Sequence, residues 1–185
     1  SAWSAPAANF QIVSNALKEL SGDVNNPVAW LDCGSADADI RATMPAAGTA
    51  GRRGVSGRAS DATHVIFFYY DASVNELRIF KNNGGSFTQL GSTVAHTASA
   101  NDVLKLSFSG DTINAYVNDV LKIGPETDSF NNTVTNHGVY WRDNNDTLDD
   151  FSITVPSVGQ PTVKRMGGVQ FGPGFAQLAS GIKGG

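Results

Sequence analysis

Residues 103–123 read VLKLSFSGDTINAYVNDVLKI, and this stretch decides the fold. Leu104, Leu106 and Phe108 alternate with Val103, Lys105 and Ser107, so one face of a strand turns inward and the other outward. Ser109-Gly110-Asp111 supplies a turn, and Ile113-Asn114-Ala115-Tyr116-Val117 a second strand. Asn118-Asp119, residue types that tolerate positive φ, then close a tight hairpin onto Val120-Leu121-Lys122-Ile123. Three strands in so short a span form an antiparallel meander.

The same rhythm extends in both directions. Strand patterns fall at Phe10–Leu17, Val28–Cys33, Asp39–Met44, Gly54–Ala59, His64–Asp71, Glu76–Lys81, Phe87–Leu90, His137–Arg142 and Leu148–Val155. Asn82-Asn83-Gly84-Gly85 marks another turn. Leu17-Lys18-Glu19-Leu20 has the spacing of a single helical turn, too short to stand as a helix. In His64–Asp71 both faces are apolar, with Ile66, Phe68 and Tyr70 on one and Val65, Phe67 and Tyr69 on the other. Such a strand is central, with a second layer or a filled groove over its other face. Short strands closed by Gly, Asn and Asp clusters predict an antiparallel β-sandwich.

Past Pro156 the pattern stops. Residues 156–185 hold eight of the 20 glycines, three prolines and only scattered apolar residues. That composition buries no core of its own and reads as an extended arm, with Lys164, Arg165, Met166, Phe171 and Phe175 as the residues expected to dock on a neighbouring subunit. Charge divides at the same place. Residues 1–155 carry ten Lys and Arg against 17 Asp and Glu, whereas the arm carries Lys164, Arg165 and Lys183 and no acid. An acidic body argues against nucleic acid as a partner. Charged residues make up only 16% of the chain, so the polar surface rests on Ser, Thr, Asn and Gly, as in many secreted or virion-exposed β proteins. Cys33 is the sole cysteine, which rules out an internal disulfide, and no apolar run is long enough to span a membrane. Beginning at Ser1 without Met, the chain reads as processed or trimmed.

Several segments together resemble the concanavalin A-like lectin/glucanase (laminin-G-like) jelly-roll superfamily. They are Ser1-Ala2-Trp3, Phe10-Gln11-Ile12, Asn15-Ala16-Leu17, Gly57-Arg58-Ala59-Ser60-Asp61, Leu77-Arg78-Ile79-Phe80-Lys81 and Asp102-Val103-Leu104-Lys105-Leu106. Ile113-Asn114-Ala115-Tyr116-Val117-Asn118, Thr127-Asp128-Ser129, Gly138-Val139 and Leu148-Asp149-Asp150-Phe151 complete the series in the family's order. The resemblance is closest to copies in bacteriophage virion structural proteins and bacterial surface proteins. Residues 164–171 also look like C-terminal segments of phage structural proteins. The resemblance implies an all-β, concanavalin A-like antiparallel β-sandwich (jelly roll) over residues 1–155, with the Gly-rich C-terminal arm over residues 156–185.

Catalysis finds no support in the residues. Glycoside hydrolysis needs two carboxylates flanking the scissile bond. Glu19, Glu76 and Glu126 are widely separated, and Asp149-Asp150, being adjacent, are expected on opposite faces of a strand. Ser56, in Gly54-Val55-Ser56-Gly57-Arg58, is one residue off a nucleophile elbow. His64, His96 and His137 are scattered without metal-ligand spacing, and Cys33, alternating with Leu31 and Ala29, reads as a small core residue. No metal site or cofactor is read from the residues. The resemblance leaves one opening, a structural calcium at Asp149 or Asp150, where superfamily members place a late-strand ligand.

Sugar binding would use aromatic rings that stack on pyranose faces beside polar groups. The candidates are Arg58, His64 and Tyr70, with Tyr140, Trp141, Arg142 and Asn144, while Trp3 and Trp30 are assigned to packing. The expected role is a non-catalytic virion structural protein, a phage head decoration, fibre or minor tail protein on the virion surface. Its lectin-like jelly roll would adhere weakly to host-surface glycans, and its arm would hold other virion proteins or copies of itself. The alternative is a secreted or cell-surface carbohydrate-binding module, with a glycoside hydrolase more distant.

Overall fold

The computed structural model describes residues 10–13, 16–19, 28–48, 51–142, 147–156 and 162–165. Among them are fourteen strands and no helix: β1 (Phe10–Val13), β2 (Ala16–Glu19), β3 (Val28–Asp32), β4 (Ala38–Met44), β5 (Arg52–Asp61), β6 (His64–Asp71), β7 (Glu76–Asn83), β8 (Ser86–Ala95), β9 (Asp102–Ser109), β10 (Thr112–Val117), β11 (Val120–Thr127), β12 (Asn136–Arg142), β13 (Thr147–Val155) and β14 (Thr162–Arg165). One sheet runs β3-β12-β5-β6-β7-β8; the other runs β1-β2-β13-β4-β9-β10-β11, with β14 added beside β13.

The predicted meander is β9-β10-β11. Phe108 pairs with Ile113 and Val117 with Val120. Asn118 and Asp119, at φ 51° and 61°, form the two-residue turn whose twist suits a hairpin. Leu104, Leu106 and Phe108 are buried while Val103, Lys105 and Ser107 are only half-buried, the alternation expected. Ile66, Phe68 and Tyr70 of β6 meet them from the opposing sheet, together with Ile40, Ile79, Trp141, Phe151 and Cys33 in one continuous core. The other face of β6 belongs to a separate buried cluster of Val28, Ala59, Val65, Phe67, Tyr69 and Tyr140. Both readings of that strand hold: it is central, and its second face is filled.

Four local expectations change. The strand placed over Phe10–Leu17 is two strands, with Phe10 opposite Glu19 and Val13 opposite Ala16. Leu17-Lys18-Glu19 is extended, not a helical turn, because β2 also pairs with β13 through Leu17 and Leu148. Ladder bonding on both sides outweighs a helical nucleus of one turn. Asp149 and Asp150 do not take opposite faces. Asp150 sits at φ 47° in a register break between Asp149 and Ser152, so a bulge turns both carboxylates outward while Leu148 and Phe151 both stay buried. Finally, part of the segment expected to reach outward as an arm lies on this chain's own sheet, where Lys164 pairs with Ile153 and Arg165 with Ser152. The strand β13 has a free edge beyond its contact with β2, and β14 satisfies its backbone groups there. Met166, Phe171 and Phe175 lie outside the described residues, as does Trp3.

His137 occupies the seam between the sheets. The backbone N–H of Arg58 donates to its Nδ1 at 3.3 Å, which places the ring proton on Nε2, 2.9 Å from the Ser35 carbonyl it donates to. Burial first, and then the neighbouring Arg58 charge, hold its pKa down to about 4 despite that hydrogen bond. The unfolded chain takes up this proton near pH 6.5 and the folded chain only near 4, so stability is full above 6.5 and falls as pH drops through that window. Asp71 and Asp102 have pKa values below their ordinary 3.8 because hydrogen bonds outweigh burial, so they weaken the fold only at lower pH. Thermal melts between pH 7 and pH 4 should therefore show Tm declining in the wild type and a much flatter profile in His137→Gln.

Gly138 of β12 tests the sheet itself. A Cβ there would lie 1.8 Å from the Ala29 carbonyl oxygen of β3, a backbone atom that cannot move aside. Gly138→Ala should cost about 3 kcal/mol, read as a Tm lower by roughly 6–12 °C.

Candidate ligand cleft

The outer face of the six-stranded sheet is built by register. Tyr69 of β6 stands beside Gly54 of β5 and Arg78 of β7, and Gly54 in turn pairs with Tyr140 of β12. One step along, Phe67 stands between Ser56 and Phe80. At the strand ends Arg142 pairs with Arg52 and Arg52 with Asp71. With Gly54 and Ser56 on β5, no bulky side chain separates the rings of β6 and β12. Phe67 and Tyr140 close over that gap, stacked at 4.3 Å with planes 4° apart, and Tyr69 lies 5.5 Å from Tyr140. Aromatic pairs in such geometry add about 0.5–1.5 kcal/mol beyond their buried area. Phe80 stacks on Phe67 at 6.4 Å, and Phe87 of β8 meets Phe67 edge-on at 6.3 Å.

These rings floor a cleft of about 230 Å³ lined by Arg52, Phe67, Tyr69, Arg78, Phe80, Phe87, Tyr140 and Arg142. Phe67, Tyr69 and Tyr140 are almost fully covered and Phe80 is partly covered, whereas Phe87 at the rim is 48% exposed. The Arg52 guanidinium lies 5.4 Å over the Tyr69 ring, and its Nε donates to Asp71 at 2.7 Å. Arg78 donates to Glu76 and interacts with the Tyr69 hydroxyl, while Arg52 interacts with the Tyr140 hydroxyl. Burial pushes both phenols up, Tyr140 more than Tyr69, although the arginines oppose it. The Glu76 hydrogen bond raises Arg78, and the Asp71 pair raises Arg52 against the pull of burial. At neutral pH the cleft therefore holds neutral phenols and fixed positive charge.

The residues proposed from sequence separate into several places. Tyr140 and Arg142 line the cleft. Trp141, their chain neighbour, is fully buried between the sheets, as the alternation of β12 requires. Tyr70 is also inside, its hydroxyl donating to Asn75 at 2.6 Å and its ring edge-on to His96 at 5.9 Å. Neither ring is open to a sugar face. Arg58 is at the far end of β5, at φ 53° in a bulge, with its guanidinium 4.5 Å over Phe108 and hydrogen-bonded to Asp37 and to the carbonyls of Ala36 and Gly110. Its buried charge is met within the protein. His64 caps the β5–β6 turn, with Nδ1 2.8 Å from Asp61. Asn144 lies outside the described residues. Among the described residues no three His, Cys, Asp or Glu side chains gather as a metal site.

Sequence reasoning passed over Arg52, Phe67, Tyr69, Arg78, Phe80 and Phe87. Part of the signal was present. In Glu76–Phe80, Leu77 and Ile79 are the inward residues, so Arg78 and Phe80 point outward on the strand that follows the two-faced β6.

No protein-family profile and no curated protein matches this chain. Solved structures do. The carbohydrate binding module CBM66 from Bacillus subtilis superposes with a TM-score of 0.66 at 15% identity, covering 82% of this chain and 94% of that one. The fold is the concanavalin A-like jelly roll. A functionally unknown protein from Saccharomyces cerevisiae matches at TM-score 0.56 and 13% identity over 84% of this chain and 96% of that one. The VIP36 exoplasmic/lumenal domain, in its Ca2+/Man3GlcNAc-bound form, matches at 0.51 and 14% identity over 94% of this chain and 87% of that one. These neighbours give no support to the expected tie with bacteriophage virion proteins.

Proposed function

We propose that this domain is a non-catalytic carbohydrate-binding module that takes a sugar ring in the cleft on the outer face of the six-stranded sheet. The observation that carries this reading is the half-exposed Phe87 standing at the rim of an aromatic floor ringed by guanidinium groups. A flat ring beside several directional donors is the combination that holds a pyranose, with its apolar face on the aromatic and its hydroxyls on the donors. Two of the three neighbours described above, a carbohydrate binding module and a lumenal domain in a Man3GlcNAc-bound form, support the same reading. The cleft volume of about 230 Å³ is below the range that encloses a drug-sized ligand, so one ring is taken and the rest of the glycan remains outside.

The chemistry of the cleft is binding chemistry. Among the described residues its lining offers no carboxylate, imidazole, thiol or aliphatic hydroxyl. A secreted or cell-surface setting fits a glycan binder better than a virion, for which no observation speaks. The role of Met166, Phe171 and Phe175 in docking a neighbour is a separate proposal, and removing residues 166–185 while watching particle assembly or oligomeric state tests it.

Binding to a panel of neutral and acidic polysaccharides, read by affinity electrophoresis and then calorimetry, is the direct test. Phe87→Ala should weaken the best ligand by about fivefold, the equivalent of about 1 kcal/mol of stacking, while Tm shifts little because the ring is at the rim. Unchanged affinity in that variant would move the site elsewhere on the fold.

A further inference from the structure

We infer that the glycan taken by the cleft is anionic, carrying a carboxylate or sulfate that the arginines engage. This rests on the carbohydrate-binding reading and deepens it. The observation is the charge of the lining: among the described residues that form the cleft, three are arginines and none is an acid.

The charge is out of keeping with its surroundings. The chain as a whole has net charge −4, and residues 1–155 carry more acid than base. Yet strand register brings Arg52, Arg78 and Arg142 from three different strands to one place over the aromatic floor. Asp71 and Glu76 pair with Arg52 and Arg78 and offset part of that charge, and an anion bound among the arginines would add a further counter-charge.

The acids paired with Arg52 and Arg78 do not exhaust the donors of those two side chains. Asp71 takes Nε of Arg52, and Glu76 takes an Nη of Arg78, each carboxylate approaching one arginine from its own strand. A guanidinium presents a planar fork of donors, so one such contact leaves further N–H groups for a ligand. In Arg78 the remainder is explicit: Nε is buried and has no hydrogen-bond partner. A buried N–H without an acceptor is costly, and an oxygen supplied by a ligand relieves it. Planar donors also suit the paired oxygens of a carboxylate or sulfate better than the single hydroxyls of a neutral sugar.

Nucleic acid shares the anionic chemistry and stacks on aromatic rings, but a nucleotide's phosphate is set apart from its stacking base by the sugar. A uronic acid carries its carboxylate on the ring itself, so one ring brings both the stacking face and the charge to a cleft of this size.

The experiment compares polygalacturonate, alginate, hyaluronate and chondroitin sulfate with the carboxyl-reduced forms of the first three, with dextran and a neutral β-glucan, and with a single-stranded oligothymidylate. We expect at least one acidic glycan to bind, and its carboxyl-reduced form, where it has one, to bind about tenfold to a hundredfold more weakly, the span of a charge-assisted contact. Affinity should fall between about 50 mM and about 500 mM NaCl. Arg78→Gln and Arg142→Gln should each reproduce the loss for the acidic polymer, with melts showing that the variants remain folded. Chondroitin sulfate binding alone, among the acids, assigns the sulfate; binding of a uronate polymer assigns the carboxylate. A neutral polymer bound as tightly as any acidic one, with no salt dependence, overturns the anionic inference and leaves the carbohydrate reading intact. The oligonucleotide binding most tightly overturns it as well. Failure of every glycan in the panel sinks both readings together.

Discussion

Strand β6 has no face turned to water, and the rest of the molecule is arranged around that constraint. Its apolar residues alternate without a polar partner, so covering Ile66, Phe68 and Tyr70 with an opposing sheet solves only half of the problem. The other half, Val65, Phe67 and Tyr69, must be covered within the layer. The solution uses emptiness on the next strand. Gly54 and Ser56 of β5 leave a furrow, and Tyr140 crosses it from β12 to stack on Phe67. Glycine at position 54 also permits a close approach: a Cβ there would meet the Phe68 carbonyl oxygen at 2.0 Å. The same economy of side chains that lets the strands pack tightly creates the floor of the cleft.

Arginine completes the covering and changes its character. Arg52 lies across Tyr69, and Arg78 reaches the same phenol, so apolar stems shield the rings while charged heads face the opening. A cover made of leucine would have sealed this face. A cover made of arginine leaves it able to exchange water for a ligand oxygen.

The sandwich was legible in the chain because its strands are short, alternating and separated by turns with a mechanism. His64–Asp71 was bounded as observed, and Asn118-Asp119 and Gly84-Gly85 are at the turns expected of them. Where the reading failed, the information was not local. The bulge at Asp150 trades one residue of alternation for the burial of both Leu148 and Phe151, which depends on what faces them from other strands. The strand β14 exists because β13 has an unfilled edge, and nothing within Thr162–Arg165 announces this. For the cleft, alternation applied to His137–Arg142 would have set Tyr140 and Arg142 on one face and Trp141 on the other, and the alternation read in His64–Asp71 already set Tyr70 apart from Tyr69. Arg52, Arg78 and Phe87 become neighbours of those residues only through register across five strands, which sequence spacing does not encode.

The position of β14 also decides how this domain can be presented. It adds to the layer formed by β13 and β4, whereas the arginine-lined opening is on the far side of the opposite layer. Arg165, the last described residue, is thus in the layer away from that opening. Held from that layer, on a bead or another surface, the protein would keep its receptive side toward the medium, and many copies on one support could engage a polymer at once.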